Sequence, residues 1–186
     1  MTTIYFIRHA EPDTTIHDDY TRPLTIKGEE QAKNVSQYLK DKNINLAFSS
    51  PYKRAVDTIL PFTNSIGIDI KKLEGFRERK ISNEWIEDFT SFAKSQWEDF
   101  TFKLTDGENL EEVQIRNIDT LKRLLLQYPE KNIVVGTHGT ALSTMINYYN
   151  RDFGYDNFKE VANIFPWIVK MVFDGEKCLE IEHIEL

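Results

Sequence analysis

The chain has 186 residues, 40% of them apolar, and a formal net charge of −7. This suits one domain with a full core, and an acidic chain without a stripe of Lys or Arg argues against nucleic acid or an anionic membrane surface as partner. A single cysteine, Cys178, excludes an internal disulfide, no stretch approaches the ~20 apolar residues of a membrane span, and the start lacks a basic segment followed by a long apolar one. The expectation is a cytoplasmic protein that meets any anionic ligand with a few placed cations.

Ile4-Tyr5-Phe6-Ile7 reads as a strand buried on both faces, and Arg8-His9-Ala10-Glu11 follows where that strand ends. In open α/β sheets ligands sit outside the carboxyl ends of strands, so Arg8 and His9 are placed at the lip of a crevice. The polar stretch from Pro12 to Pro23 reads as a loop over that end, with His17 a solvated loop histidine. Thr25 suits the N-cap of a helix whose apolar face is Ala32, Val35, Tyr38 and Leu39. Asn45 to Ser49 reads as a second strand, with Ser50 as cap and Pro51 at the first position of the next helix. Arg54 then falls in a first helical turn beside free N–H groups, both of which attract a phosphate.

A third strand is expected from Ile66 to Leu73, after which Glu74, Arg77, Glu78 and Arg79 reach the same rim. Residues 84–102 are dense in aromatics, and Trp85, Phe89 and Phe92 stand at helical spacing. They suggest a short helical excursion that packs on the body, turns one or two rings toward the pocket and there sets substrate choice. Gly107-Glu108-Asn109 opens a helix with Leu110, Val113, Leu121 and Leu124 as its buried stripe. Ile133-Val134-Val135-Gly136 is a further buried strand, ending in Thr137-His138-Gly139-Thr140 before a helix, so the strand–loop–helix of the first site is built twice. Trp167–Phe173 and Lys177–Ile184 across Asp174-Gly175 read as a hairpin of edge strands suited to pairing, with His183 structural. The fold class is α/β, a three-layer α/β/α sandwich whose central sheet is mostly parallel with C-terminal antiparallel hairpin strands. It forms one domain over residues 1–186, with a small aromatic-rich excursion at about 80–106 near the active site.

Four segments in order, Arg8-His9-Ala10-Glu11, Pro23 to Ala32, Ser49 to Ala55 and Gly136-Thr137-His138-Gly139, resemble those of the histidine phosphatase, or phosphoglycerate mutase-like, family. Gly107-Glu108-Asn109 with Arg116 looks like that family's Gly-Glu-Ser segment and following arginine. Ala10 replaces the commoner glycine of Arg-His-Gly. The family's acidic residue is best matched by Glu78, although Ser82 stands where a glycine is usual; Glu74 is the second candidate for the proton donor.

The resemblance implies a hydrolase needing no cofactor and no metal. His9 is the nucleophile that forms a phosphohistidine, and Glu78 the acid that protonates the leaving alkoxide and then takes a proton from water. Arg8, Arg54 and His138 supply positive charge to the phosphoryl oxygens, with His138 both catalytic and phosphate-binding. Phosphoryl transfer asks for little more than such positioning and preorganised charge. The expected partner is a small-molecule phosphomonoester, with the α-ribazole, phosphoserine and broad-specificity branches all open. Mutase chemistry is the alternative within the family, disfavoured because the mutases carry a basic insertion where this chain is acidic and aromatic. A non-catalytic phosphate-binding module is the alternative outside it, disfavoured because such a module has no use for an acid.

Overall fold

The computed structural model describes residues 1–186. Six strands, β1 (Thr2–Arg8), β2 (Leu46–Ser49), β3 (Ile70–Lys72), β4 (Asn132–Thr137), β5 (Trp167–Asp174) and β6 (Lys177–Ile184), form one sheet in the order β3-β2-β4-β1-β5-β6. The first four are mutually parallel, β5 is antiparallel to β1, and β6 is antiparallel to β5. Alternation along β1 sends Ile4 and Phe6 to one face and Tyr5 and Ile7 to the other, and all four are buried.

Each face therefore needs its own helical cover. On the Tyr5 side the core is closed by Val35 and Leu39 of α1 (Ile26–Leu39) and by Ile59 and Phe62 of α2 (Lys53–Ile66). On the Phe6 side it is closed by α4 (Leu110–Gln127) and α5 (Gly139–Tyr149), through Leu110, Leu121, Leu142 and Met145. The short helices α3 (Phe89–Glu98) and α6 (Tyr155–Val161) extend that second layer, with Trp97 and Phe158 5.5 Å apart. Local chemistry starts the helices where patterning places them. The Thr25 side chain accepts from the Gly28 N–H at 3.0 Å, and Asn109 and Glu112 form a reciprocal capping box, each cap contributing about 1 kcal/mol.

Four expectations need correction. The third strand is confined to Ile70–Lys72, because α2 runs on to Ile66 and Gly67, at φ +71°, ends it in a left-handed turn that a side chain rarely adopts. Ser50 and Pro51 do not begin α2: the cap position is Tyr52, without a side-chain cap bond, and Ser50 serves His138 instead. Trp85 lies outside α3, which starts after Asp88 accepts from the Ser91 N–H. Only β6 of the hairpin is an edge, since β5 is zipped between β1 and β6. The 3₁₀ turn at Glu74–Phe76 and helix α6 went without a distinct sequence signal.

Candidate active site

The register of the two central strands builds the site. Arg8 stands opposite Thr137 in the parallel β1/β4 pair, and the His9 N–H continues the ladder to the Thr137 carbonyl at 3.1 Å. His9 and His138 thus leave adjacent strand ends side by side, their rings 5.3 Å apart and edge-on. Ser50 follows β2, the next strand over, and its hydroxyl lies 2.7 Å from Nε2 of His138.

The Nδ1 of His9 is 2.8 Å from the Ala10 carbonyl, which can only accept, so Nδ1 carries the proton and Nε2 keeps a lone pair. Burial first, then the Arg54 and Arg8 cations, pushes the proton affinity of His9 well below the usual imidazole range. The ring is therefore neutral at pH 7. His138 is lowered in the same direction by burial, Arg54 and His9. It is fully buried behind His9, away from the cavity wall, and its Nδ1 has no hydrogen-bond partner.

Arg8 is buried, and its Nη1 donates to the carbonyls of Val161 at 2.8 Å and Ile164 at 3.1 Å. Its guanidinium carbon sits 3.9 Å from the centre of the Phe165 ring, within cation–π reach. Burial lowers its pKa to about 10 against the opposing pull of Glu78, so it remains a cation at neutral pH. Gly139 lets it lie close: a Cβ there would come within 3.0 Å of the Arg8 Nε. Arg54, equally buried, is held by Asp19, donating to its carbonyl at 2.8 Å and its carboxylate at 3.2 Å. The Nε atoms of Arg8 and Arg54 are both buried without partners.

Glu78 occupies the N-terminus of α5, where its carboxylate accepts from the N–H groups of Thr140 at 3.0 Å and Ala141 at 3.1 Å, and from Arg79 N–H at 2.8 Å. Behind it, Arg116 donates to the carbonyls of Gly75, Arg77 and Glu78 at 3.0, 2.7 and 3.2 Å. Arg116 is itself paired with Glu108, which also takes both arms of Arg77 at 2.6 and 2.9 Å. Burial alone would raise the Glu108 carboxyl, but hydrogen bonds from Arg116, Arg77 and the Lys80 N–H outweigh it and hold it at about 2. This permanent carboxylate fixes the segment that carries Glu78. Glu74 is exposed, accepts from the Tyr20 hydroxyl at 3.3 Å and does not line the cavity.

The cavity has a volume of about 640 Å³, room for a small metabolite. Arg8, His9, Arg54 and Glu78 line it together. Its outer wall joins the loop after β1 to the segment before α3, where the rings of His17 and Trp85 stack at 4.2 Å and 10°. His17 is thus placed at the cavity and not simply in solvent. Sequence reasoning gave no role to Asp19 or Phe165, read Ser50 as a helix cap, and put Arg79 only on the same rim as Glu78. Asp19 and Ser50 sit in plain polar stretches, Phe165 in a segment without periodicity, and only the adjacency of Arg79 to Glu78 was a signal.

Two parallel strands thus present a neutral, oriented imidazole, two guanidiniums and a carboxylate around one anion-sized space, the arrangement of a phosphoryl-handling enzyme. The family profile described as "Histidine phosphatase superfamily (branch 1)" matches residues 4–177, and the chain belongs to that family. A protein named "Uncharacterized phosphatase PhoE" from Bacillus subtilis (strain 168) is 26% identical over 155 residues, covering 78% of this chain and 76% of that one. A "Probable phosphoglycerate mutase GpmB" from Serratia proteamaculans (strain 568) is 24% identical over 159 residues, covering 79% and 74%. Among solved structures, phosphoserine phosphatase from Entamoeba histolytica in complex with 3-phosphoglyceric acid superposes with a TM-score of 0.80 at 22% identity, over 100% of this chain and 98% of that one.

Proposed function

We propose that this protein is a metal-independent phosphomonoesterase that hydrolyses a small phosphorylated metabolite through a phosphohistidine intermediate. The observation that carries the reading is the single tautomer of His9: the Ala10 carbonyl fixes the proton on Nδ1 at 2.8 Å, and a neutral Nε2 is left for attack.

Arg8 and Arg54, which both line the cavity, receive the phosphoryl oxygens, compensating charge without a metal ion. The Nε2 lone pair of His9 forms the N–P bond as the ester P–O bond breaks, and Glu78, carrying the proton of the monoanionic ester, gives it to the departing alkoxide. Glu78, now ionised, accepts a proton from water as the water oxygen bonds phosphorus and the N–P bond breaks, releasing phosphate and the free imidazole. His138 acts from behind. Its Nε2 lies against the Ser50 hydroxyl, which fixes the ring beside His9, while its Nδ1 still lacks a partner. Glu78 is preferred to Glu74 because it alone of the two lines the cavity. Residues 80–106, the excursion within a single domain, supply the wall that selects the leaving group.

Hydrolysis is preferred to mutase transfer because the excursion at residues 80–106 brings Ile81, Ile86 and Phe89 with Glu84 to the cavity and no lysine or arginine of its own, the cations beyond the strand ends being Arg22 and Arg79 alone. Release of inorganic phosphate from 4-nitrophenyl phosphate tests the reading. Wild-type protein is expected to turn it over without added metal, and His9→Ala to lose on the order of 10³-fold or more in kcat. Activity that survives the substitution removes His9 from its role.

A further inference from the structure

Resting on the phosphatase reading, we propose that Thr58 and Gln31 are positioning residues for the nucleophile: from two separate helices they clamp the peptide groups on either side of Ala10, and so hold the carbonyl that orients the His9 ring.

The hydrogen bond that fixes the His9 tautomer is accepted by a backbone carbonyl, and a carbonyl points only where its peptide plane points. Two planes decide this one. The first ends in the Ala10 N–H, which donates to Oγ1 of Thr58 at 2.9 Å. The second contains the Ala10 carbonyl itself, and its opposite end, the Glu11 N–H, donates to Oε1 of Gln31 at 2.8 Å. Turning either plane would draw the carbonyl off Nδ1 of His9.

Thr58 can serve in one way only. It stands in α2, and its hydroxyl proton is committed to the Arg54 carbonyl at 2.7 Å, one turn earlier, so a lone pair is left for Ala10. Thr58 and Ala10 are both fully buried, and no water can replace the acceptor. A continuous chain of hydrogen bonds therefore runs from the first turn of α2, which carries Arg54, to the ring of His9. An apolar residue could fill the Thr58 position beside Ile59 and Phe62; what it would lose is the acceptor.

Gln31 reaches the next peptide from α1, where it is half-buried. The same helix start is tied to this segment by its cap residue, since the Thr25 N–H donates to the Glu11 carbonyl at 3.0 Å. With the His9 N–H on the Thr137 carbonyl, the N–H groups of residues 9, 10 and 11 are all engaged, the last two by side chains that substitution can remove.

The test uses Thr58→Val, which keeps the shape and removes the acceptor, Thr58→Ser, which restores a hydroxyl, and Gln31→Leu on the other helix. Hydrolysis of 4-nitrophenyl phosphate is measured beside ¹⁵N spectra of the histidine rings. Thr58→Val is expected to lower kcat about tenfold to a hundredfold with KM changed less than about threefold, because the arginines stay in place while the nucleophile loses its aim. Thr58→Ser is expected to recover most of that loss, and Gln31→Leu to lower kcat roughly threefold to tenfold. The wild-type His9 ring is expected to carry its proton on Nδ1 alone, and Thr58→Val to show both tautomers.

A wild-type kcat in Thr58→Val, an equal loss in Thr58→Ser, or a His9 tautomer that stays single in every variant overturns the inference. If Thr58→Val does not fold, Gln31→Leu decides alone, and an unchanged kcat with an unchanged tautomer overturns it. The ring spectra do not depend on turnover, which separates the two levels. Hydrolysis by the wild type with a tautomer that ignores both substitutions strikes the clamp alone. If the wild type hydrolyses no phosphomonoester, the phosphatase reading falls and takes the positioning of a nucleophile with it, even where the tautomer still answers to Thr58.

Discussion

At the scale of single residues, the site works by leaving chosen atoms unsatisfied while fixing everything around them. Nε of Arg8, Nε of Arg54 and Nδ1 of His138 are buried without partners, yet each parent side chain is anchored through another atom. The Ser50 hydroxyl is the anchor that settles the His138 ring, and it also receives the Tyr52 N–H at 3.3 Å. Ser50→Ala should lower stability by about 1 kcal/mol and kcat by roughly tenfold, through a ring free to flip. Denaturant titration and steady-state kinetics on an aryl phosphate check this. A loss of stability with unchanged kcat would show that the hydroxyl only holds the loop.

At the scale of elements, the central strands were legible because their signal is physical and local. Ile4 to Ile7 and Ile133 to Gly136 are buried on both faces, which demands the unbroken apolar runs visible in the sequence. The histidines and arginines inherit their positions from those strand ends, so their convergence follows from β1 and β4 pairing in parallel. Ser50 was misread because a serine before a proline has the same local chemistry whether it caps a helix or reaches across to His138. That choice is made by a neighbouring strand, 88 residues along the chain. Arg8's support from Val161 and Ile164 was invisible for the same reason, as backbone carbonyls carry no side-chain signature. The aromatic excursion was legible in composition but not in geometry, with Trp85 57% exposed and stacked on His17 from another loop. Because that contact joins two surface loops over the cavity and buries little, Trp85→Ala should leave the melting temperature nearly unchanged while raising KM for bulky phosphomonoesters several-fold. Equal KM values in the two proteins would detach this loop pair from substrate selection.

At the scale of the whole molecule, the same burial that tunes the site sets the pH range of the fold. His9 and His138 both have proton affinities lowered by burial in the native state, whereas in the unfolded chain they titrate near pH 6.5. Below that value the unfolded chain binds more protons, so stability is intact above it and declines as pH falls, by about 1.4 kcal/mol per pH unit for each histidine involved. Glu108, held at about 2, adds a loss at lower pH, below the usual carboxylate value. Denaturant titrations between pH 7.5 and 5 should show this decline, and His9→Gln should flatten it; a flat wild-type profile would mean these rings are not buried neutral.

The neutral His9 is also what the proposed chemistry requires, and the enzyme's own covalent state reports on it most directly. Quenching in alkaline denaturant during turnover of a ³²P-labelled phosphomonoester should capture label on the wild-type protein in an acid-labile, base-stable linkage that maps to His9, and none on His9→Ala. Label that persists on the His9→Ala protein, or turnover with no label on the wild type under conditions that slow dephosphorylation, would contradict a phosphohistidine formed at that ring.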